Sequence, residues 1–128
     1  MLDTEYIDRE FMDNLYLISK GIRSCYFGAM FLKPNEKYKY YDIAVFDSFS
    51  DIIKIFEDTT KEFDLYLYVK YIEKNEDKFC DYWIYKYKHQ KNILDMIYKE
   101  KNNYLKQWMM GKLLGYSDES MEEFLNKI

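Results

Sequence analysis

The sequence predicts an α+β domain: a four-stranded, mostly antiparallel sheet made of two hairpins, with helices packed on it. Three observations predict this. Residues 64–88, DLYLYVKYIEKNEDKFCDYWIYKYK, hold two aromatic-rich alternating runs around a polar break. A second pair of strand-like runs occupies 24–32 and 38–46. Segments with helical apolar spacing precede, separate and follow these pairs. The expected order is α-β-β-α-β-β-α-α, in one domain spanning 1–128.

Ile7, Phe11, Leu15 and Ile18 recur at helical spacing, so a helix is expected over Glu5–Ile18, capped by Asp3 or Thr4. Ser24–Leu32 (SCYFGAMFL) reads as a buried strand, in which Gly28 marks a bulge or a close contact. Lys33-Pro34-Asn35-Glu36 has turn chemistry, and Tyr38–Phe46 is the return strand. A second helix begins around Asp47–Asp51, capped by Ser48 or Ser50, with Phe49, Ile52, Ile53, Phe56 and Thr60 on one face. In the next strand Leu65, Leu67, Val69 and Tyr71 share one face, and Tyr66, Tyr68, Lys70 and Ile72 the other. Phe79, Asp81, Trp83, Tyr85 and Tyr87 then alternate with Cys80, Tyr82, Ile84, Lys86 and Lys88, and Lys74-Asn75-Glu76-Asp77 closes the hairpin. From His89 to Leu114 a broad helical face carries Ile93, Leu94, Ile97, Tyr98, Tyr104, Leu105, Trp108 and Met109. This region counts as one element in the order above, with a break near Lys101-Asn102-Asn103, where Asn can end one helix and cap the next. Gly115 stops it, and Ser117 or Asp118 caps a last short helix whose Met121, Phe124, Leu125 and Ile128 are expected to dock on the body.

Composition narrows the function classes. With 48% hydrophobic and 33% charged residues the chain is ordinary globular material. No apolar run approaches the roughly 20 residues of a membrane span. The opening MLDTEYIDRE is acidic and does not read as a signal peptide, so a cytoplasmic location is expected. Cys25, Cys80 and His89 have no zinc spacing, and the cysteines are expected to be reduced and buried. There is no G-x-G-x-x-G, P-loop, G-x-S-x-G or H-E-x-x-H. His89 is the sole imidazole, and Glu122 and Glu123 point apart on a helix. The expectation is therefore no enzyme, no catalytic residue, no metal ligand and no cofactor.

Net charge is −4, unevenly placed. Residues 1–13 hold five acids and Arg9, a sum of −4, and residues 118–128 hold four acids and Lys127, a sum of −3, which leaves +3 for the middle. The 15 tyrosines stand beside only Arg9 and Arg23, a balance that an AT-rich genome also produces. Tyr and Trp are favoured interface anchors. Tyr66, Tyr68, Tyr82, Tyr85 and Tyr87 are thus candidate partner contacts, with Asp8 and Asp13 as an acidic edge toward a basic protein surface. Lys86, Lys88, Lys91, Lys99 and Lys106, interleaved with aromatics, are candidate nucleic-acid contacts. Scarcity of Arg and the net acidity count against that second set.

The tail 111–125, GKLLGYSDESMEEFL, resembles the ending of short proteins encoded by phages and mobile elements of low-GC Gram-positive bacteria, several of which are anti-CRISPR inhibitors. Such inhibitors share no common fold, so no residue role is carried over. The resemblance implies a non-enzymatic inhibitor whose partner is a host protein, a CRISPR-Cas nuclease or effector subunit, blocked in DNA binding or cleavage by protein–protein contact. The alternative expectation is a nucleic-acid or small-ligand binding module using the Lys/Tyr-rich sheet face.

Overall fold

The computed structural model describes residues 9–32, 45–46, 49–74 and 77–127. In chain order the elements are α1 (Arg9–Ser19), β1 (Cys25–Leu32), β2 (Val45–Phe46), α2 (Phe49–Glu62), β3 (Tyr66–Lys74), β4 (Asp77–Tyr85), α3 (Gln90–Lys99), α4 (Asn103–Leu113) and α5 (Asp118–Asn126). The α+β class is as expected. The expected four-stranded sheet of two hairpins is not. The antiparallel sheet has three strands, β1, β4 and β3, and the described residues include five helices, three of them after the sheet.

The correction has a simple cause. The antiparallel partner of β1 is β4, from Cys25↔Tyr85 to Leu32↔Lys78, and not the run that follows it in sequence. Val45 and Phe46 lie parallel to Phe31 and Leu32, so β2 contributes only a two-residue edge in the order β2-β1-β4-β3. A parallel return needs a connection of about a dozen residues, and residues 33–44 supply that length. The expected turn at 33–36, most of the expected return strand, the caps Asp3, Thr4 and Ser48, and the loop residues Asn75 and Glu76 lie outside the described residues. The β3–β4 hairpin does form, in register from Tyr66↔Tyr85 to Lys74↔Asp77.

Strand alternation places two sets of side chains on opposite faces, and helices cover both. Phe11, Leu15 and Ile18 of α1 and Ile52, Ile53 and Phe56 of α2 pack on Met30, Leu65, Cys80, Tyr82 and Ile84. On the other face Leu94 and Ile97 of α3, with Met109, Met110 and Leu113 of α4, pack on Cys25, Trp83 and Tyr85. Cys25 and Cys80, on paired strands, thus enter opposite layers, and both are free and buried.

Gly28 allows one close approach. A Cβ there would fall inside the van der Waals shell of the Tyr82 ring, so the ring lies across β1 only because position 28 has no side chain. In the tail, the helical region breaks at Glu100-Lys101-Asn102. The Asn102 side chain accepts the Leu105 N–H at 3.1 Å and caps α4. The break keeps Lys101 exposed instead of driving its ammonium into an apolar face. Ser117 caps α5 in the same way, accepting from Ser120 N–H at 3.1 Å. Among the described residues no helix is long and apolar enough to cross a membrane.

Candidate functional site

The five candidate tyrosines do not share a surface. Tyr82 is 8% exposed, in the α1/α2 layer, its ring 4.9 Å from Phe56. Tyr85 is 4% exposed, on the opposite face beneath a stacked Tyr66 at 5.5 Å. Burial pushes the Tyr85 phenol up. Tyr66 is exposed at the outer strand, and Tyr68, half-buried, donates to Asp95 Oδ1 at 2.8 Å. Tyr87 lies past the end of β4, exposed, its ring 6.0 Å from that of His89. Asp13 is exposed, 3.8 Å from Arg9 Nε. Asp8 lies outside the described residues.

The candidate lysines form no single stripe either. Lys86 Nζ donates to the Ser19 carbonyl at 3.0 Å and so ties the β4 exit to α1. Lys88 is exposed in the turn before α3. Lys91 sits 3.7 Å from Asp95. The Tyr68 hydroxyl, then Lys91 and Lys99, hold the Asp95 carboxyl below its usual value. Lys106 lies 5.1 Å above the Tyr98 ring, with Lys70 at 5.9 Å from it.

That ring belongs to a polar chain beneath α3 and α4. The Trp83 indole N–H, fully buried, donates to the Tyr98 hydroxyl at 2.8 Å, which donates to Asp81 Oδ2 at 2.8 Å. Burial first, and the Asp81 carboxylate with it, pushes the Tyr98 phenol up. Burial also holds the Asp81 carboxyl above its usual value, against the downward pull of the Tyr98 hydroxyl and Lys106. A tyrosine this reluctant to ionise is no base, and its hydroxyl is already engaged on both sides. The chain satisfies an indole N–H that would otherwise be orphaned.

The thiols offer little chemistry. Burial pushes Cys25 up to about 11 and Cys80 up to about 12, so both stay protonated near neutral pH. Cys80 points into the α1/α2 layer, whereas His89 is exposed at the start of α3. No cluster of His, Cys, Asp and Glu among the described residues could hold a metal.

An apolar cleft lies elsewhere, between α4 and α5. A cleft of about 410 Å³ is lined by Phe27, Met110, Gly111, Leu114, Met121 and Phe124, with Gln107, Tyr116 and Ser120 at its polar points. Gly111 lets α5 approach, because a Cβ there would meet the Met121 thioether. Tyr116 is 54% and Phe124 47% exposed. α5 also carries Asp118 and Glu123 to either side of its Ser120, Met121 and Phe124 stripe, and Glu119 and Glu122 on the face away from it. Lys112 pairs with Asp118, and Lys127 lies 3.4 Å from Glu123. No ion pair engages Glu119 or Glu122 among the described residues.

Sequence reasoning treated Met121 and Phe124 alike as inward-facing and did not single out Met110 or Gly111. Glycine within a helical pattern, two residues before the last helical residue, is the available signal for a close helix–helix approach. No protein family model, curated protein or solved structure matches the chain.

Proposed function

We propose that this protein is a non-enzymatic inhibitor encoded by a phage or mobile element, which binds a CRISPR-Cas effector and blocks its DNA binding or cleavage by protein–protein contact. One observation carries the reading: Tyr116, just before α5, and Phe124 within it stand exposed beside an apolar cleft, in a segment that also holds four carboxylates. Nucleic-acid-handling proteins present basic surfaces, and an acidic segment with aromatic anchors complements them. The same segment carries the tail resemblance. Protonated, buried thiols and a solitary exposed imidazole support a binding role over catalysis.

The nucleic-acid alternative needs a free Lys/Tyr sheet face. Trp83 and Tyr85 of that face lie under α3 and α4, and Lys86 and Lys91 are engaged within the protein. The test is capture of the tagged protein from host lysate with nuclease treatment, followed by a cleavage assay with the captured effector. The expected result is a nuclease-resistant stoichiometric effector subunit whose DNA cleavage the purified protein blocks. Recovery of nucleic acid alone, lost at high salt, would instead favour the alternative. Undiminished cleavage by every host effector would refute the proposal.

A further inference from the structure

We infer that a second cleft, where α1 and α4 end and β4 turns into α3, is a binding site for a phosphate monoester that carries an aromatic ring. The cleft has a volume of about 480 Å³, within the roughly 300–1,000 Å³ of small-ligand sites. Arg23 and Lys86 both line it, and among the described residues no Asp or Glu does. The chain carries 23 acids against 19 Lys and Arg, and elsewhere cations such as Lys91 and Lys112 take a carboxylate partner. Arg23 and Lys86 have none among the described residues. Two cations without a counter-charge in one cleft concentrate positive potential there, although the protein as a whole is acidic.

Both cations are held by contacts that leave donors to spare. Arg23 Nε–H donates to the Cys25 carbonyl at 3.0 Å and Nη1 to Asn14 Oδ1 at 2.6 Å, which leaves the Nη2 N–H groups unused. Lys86 Nζ donates to the Ser19 carbonyl at 3.0 Å, and the ammonium has further N–H groups. The end of α1 asks no more of them, because the carbonyls of Tyr16, Leu17 and Ile18 already accept the backbone N–H groups of Lys20, Gly21, Ile22 and Arg23. A positioned guanidinium fork and an ammonium match a phosphate monoester, whose charge is about −1.5 to −2 near neutral pH. A carboxylate would leave one of the two cations unmatched. The ring follows from what stands beside the cations. Lys86 Nζ lies 5.6 Å from the centroid of the exposed Tyr87 ring, so an aromatic group on a phosphate held by Lys86 comes within reach of Tyr87. Ile18 and Ile22 add apolar lining. Gly21 and Gly115, just past α1 and α4 with φ of +74° and +94°, bring no side chain, and a Cβ at either would meet nothing within 4 Å.

The test uses the whole purified protein with no effector present, so its outcome is independent of the inhibitor reading. Side-chain nitrogens of Arg and Lys are labelled for NMR, and phenyl phosphate is titrated in. The Arg23 and Lys86 signals and the Tyr87 ring signals are expected to shift saturably, with affinity falling as salt rises. Phenol, which lacks the charge, should bind at least about tenfold more weakly, and inorganic phosphate, which lacks the ring, several-fold more weakly. Arg23→Gln or Lys86→Gln should weaken binding about tenfold or more, since each removes a hydrogen bond between charged groups. Both residues also serve the fold, so Tyr87→Ala, at an exposed side chain, is the second variant, and it should bring phenyl phosphate down toward the affinity of inorganic phosphate. A phosphotyrosyl peptide bound far more tightly than phenyl phosphate would place the aryl phosphate on a protein, whereas equal affinities would place it on a free small molecule. Absence of shifts at Arg23 and Lys86, inorganic phosphate or benzoate bound as tightly as phenyl phosphate, or affinity indifferent to Tyr87→Ala would each overturn the inference.

Discussion

Replacing Tyr98 by Phe removes one oxygen and leaves the ring, so it isolates the polar chain beneath α3 and α4. The Trp83 indole N–H, at zero exposure, loses its acceptor at 2.8 Å, and Asp81 loses a donor at 2.8 Å. Orphaning a buried donor costs about 1–3 kcal/mol, and a hydrogen bond to a charged group contributes about 1.5–3. The two losses share one hydroxyl and Asp81 keeps Lys106 nearby, so Tyr98→Phe should cost about 2–4 kcal/mol rather than the full sum. With a urea m-value of about 2 kcal/mol/M, the middle of the usual range, the midpoint should fall by roughly 1–2 M at unchanged slope, read by tryptophan fluorescence. Tyr66→Phe is the control. Tyr66 is exposed and stacks on Tyr85 by its ring, so losing its hydroxyl should change stability by less than about 0.5 kcal/mol. Equal midpoints for Tyr98→Phe and Tyr66→Phe would refute the argument that the hydroxyl bridges Trp83 and Asp81.

The same packing makes three further predictions. Burial raises the Asp81 carboxyl in the folded protein above its ordinary value of 3.8. Folded protein therefore binds the proton more tightly than unfolded chain, and this site's contribution falls as pH rises from 3.8 through the raised value. Relative to Asp81→Asn, the wild type should gain stability on acidification across that window, and a flat difference curve in urea titrations would count against it. Gly28→Ala should cost about 1–3 kcal/mol through overpacking on Tyr82. Most of that cost should vanish in a Tyr82→Ala background, so additive losses in the double-mutant cycle would show that the ring is not the obstacle. Cys25 and Cys80, pushed up to about 11 and about 12, should resist a disulfide-based thiol reagent at pH near 8 and react together on unfolding. Rapid labelling of either thiol in native protein would contradict their burial.

How much of this was legible depends on whether a feature is local. Alternation through 65–72 and 79–85 places Leu65, Leu67 and Val69 opposite Tyr66 and Tyr68, and the β3–β4 register follows from it. The break at Asn102 was readable because Lys101 would otherwise sit amid apolar side chains, and Asn is a capping residue. Gly28 as a close contact was readable too, though its partner Tyr82 was not. Pairing across distance was illegible. The run after β1 offers a return strand of suitable composition, yet β1 takes β4, some 50 residues on, because alternation fixes which face a residue occupies and not which edge meets which. The β4 run also ends at Tyr85 rather than Lys88. Gln90 Oε1 accepts the Tyr87 N–H at 3.0 Å and Lys86 reaches Ser19, so the chain turns off the sheet into α3.

Coverage of the second sheet face decides what the aromatic content does. A three-stranded antiparallel sheet with one free face would leave Tyr66, Tyr68, Trp83 and Tyr85 as a solvent-facing platform. With α3 and α4 laid over it, Trp83 and Tyr85 become core, and their polar atoms must be matched inside the protein, as the Trp83–Tyr98–Asp81 chain does for Trp83. Rings sealed in this way stabilise the fold and offer nothing to a partner. On the proposed inhibitor reading, recognition falls to side chains outside the strands, and these differ in kind. Around α3, Lys91 is matched to Asp95 and Lys106 to the Tyr98 ring. Around α5, Tyr116 and Phe124 stand in solvent beside an apolar cleft, and on the other side of that helix Glu119 and Glu122 lack such partners among the described residues. Unmatched apolar surface and unmatched charge on one short segment contribute little to a protein alone and much to a complex. The same reasoning separates the inhibitor proposal from the tyrosine count: Tyr66→Ala should leave affinity for the captured effector unchanged, while Phe124→Ala should weaken it.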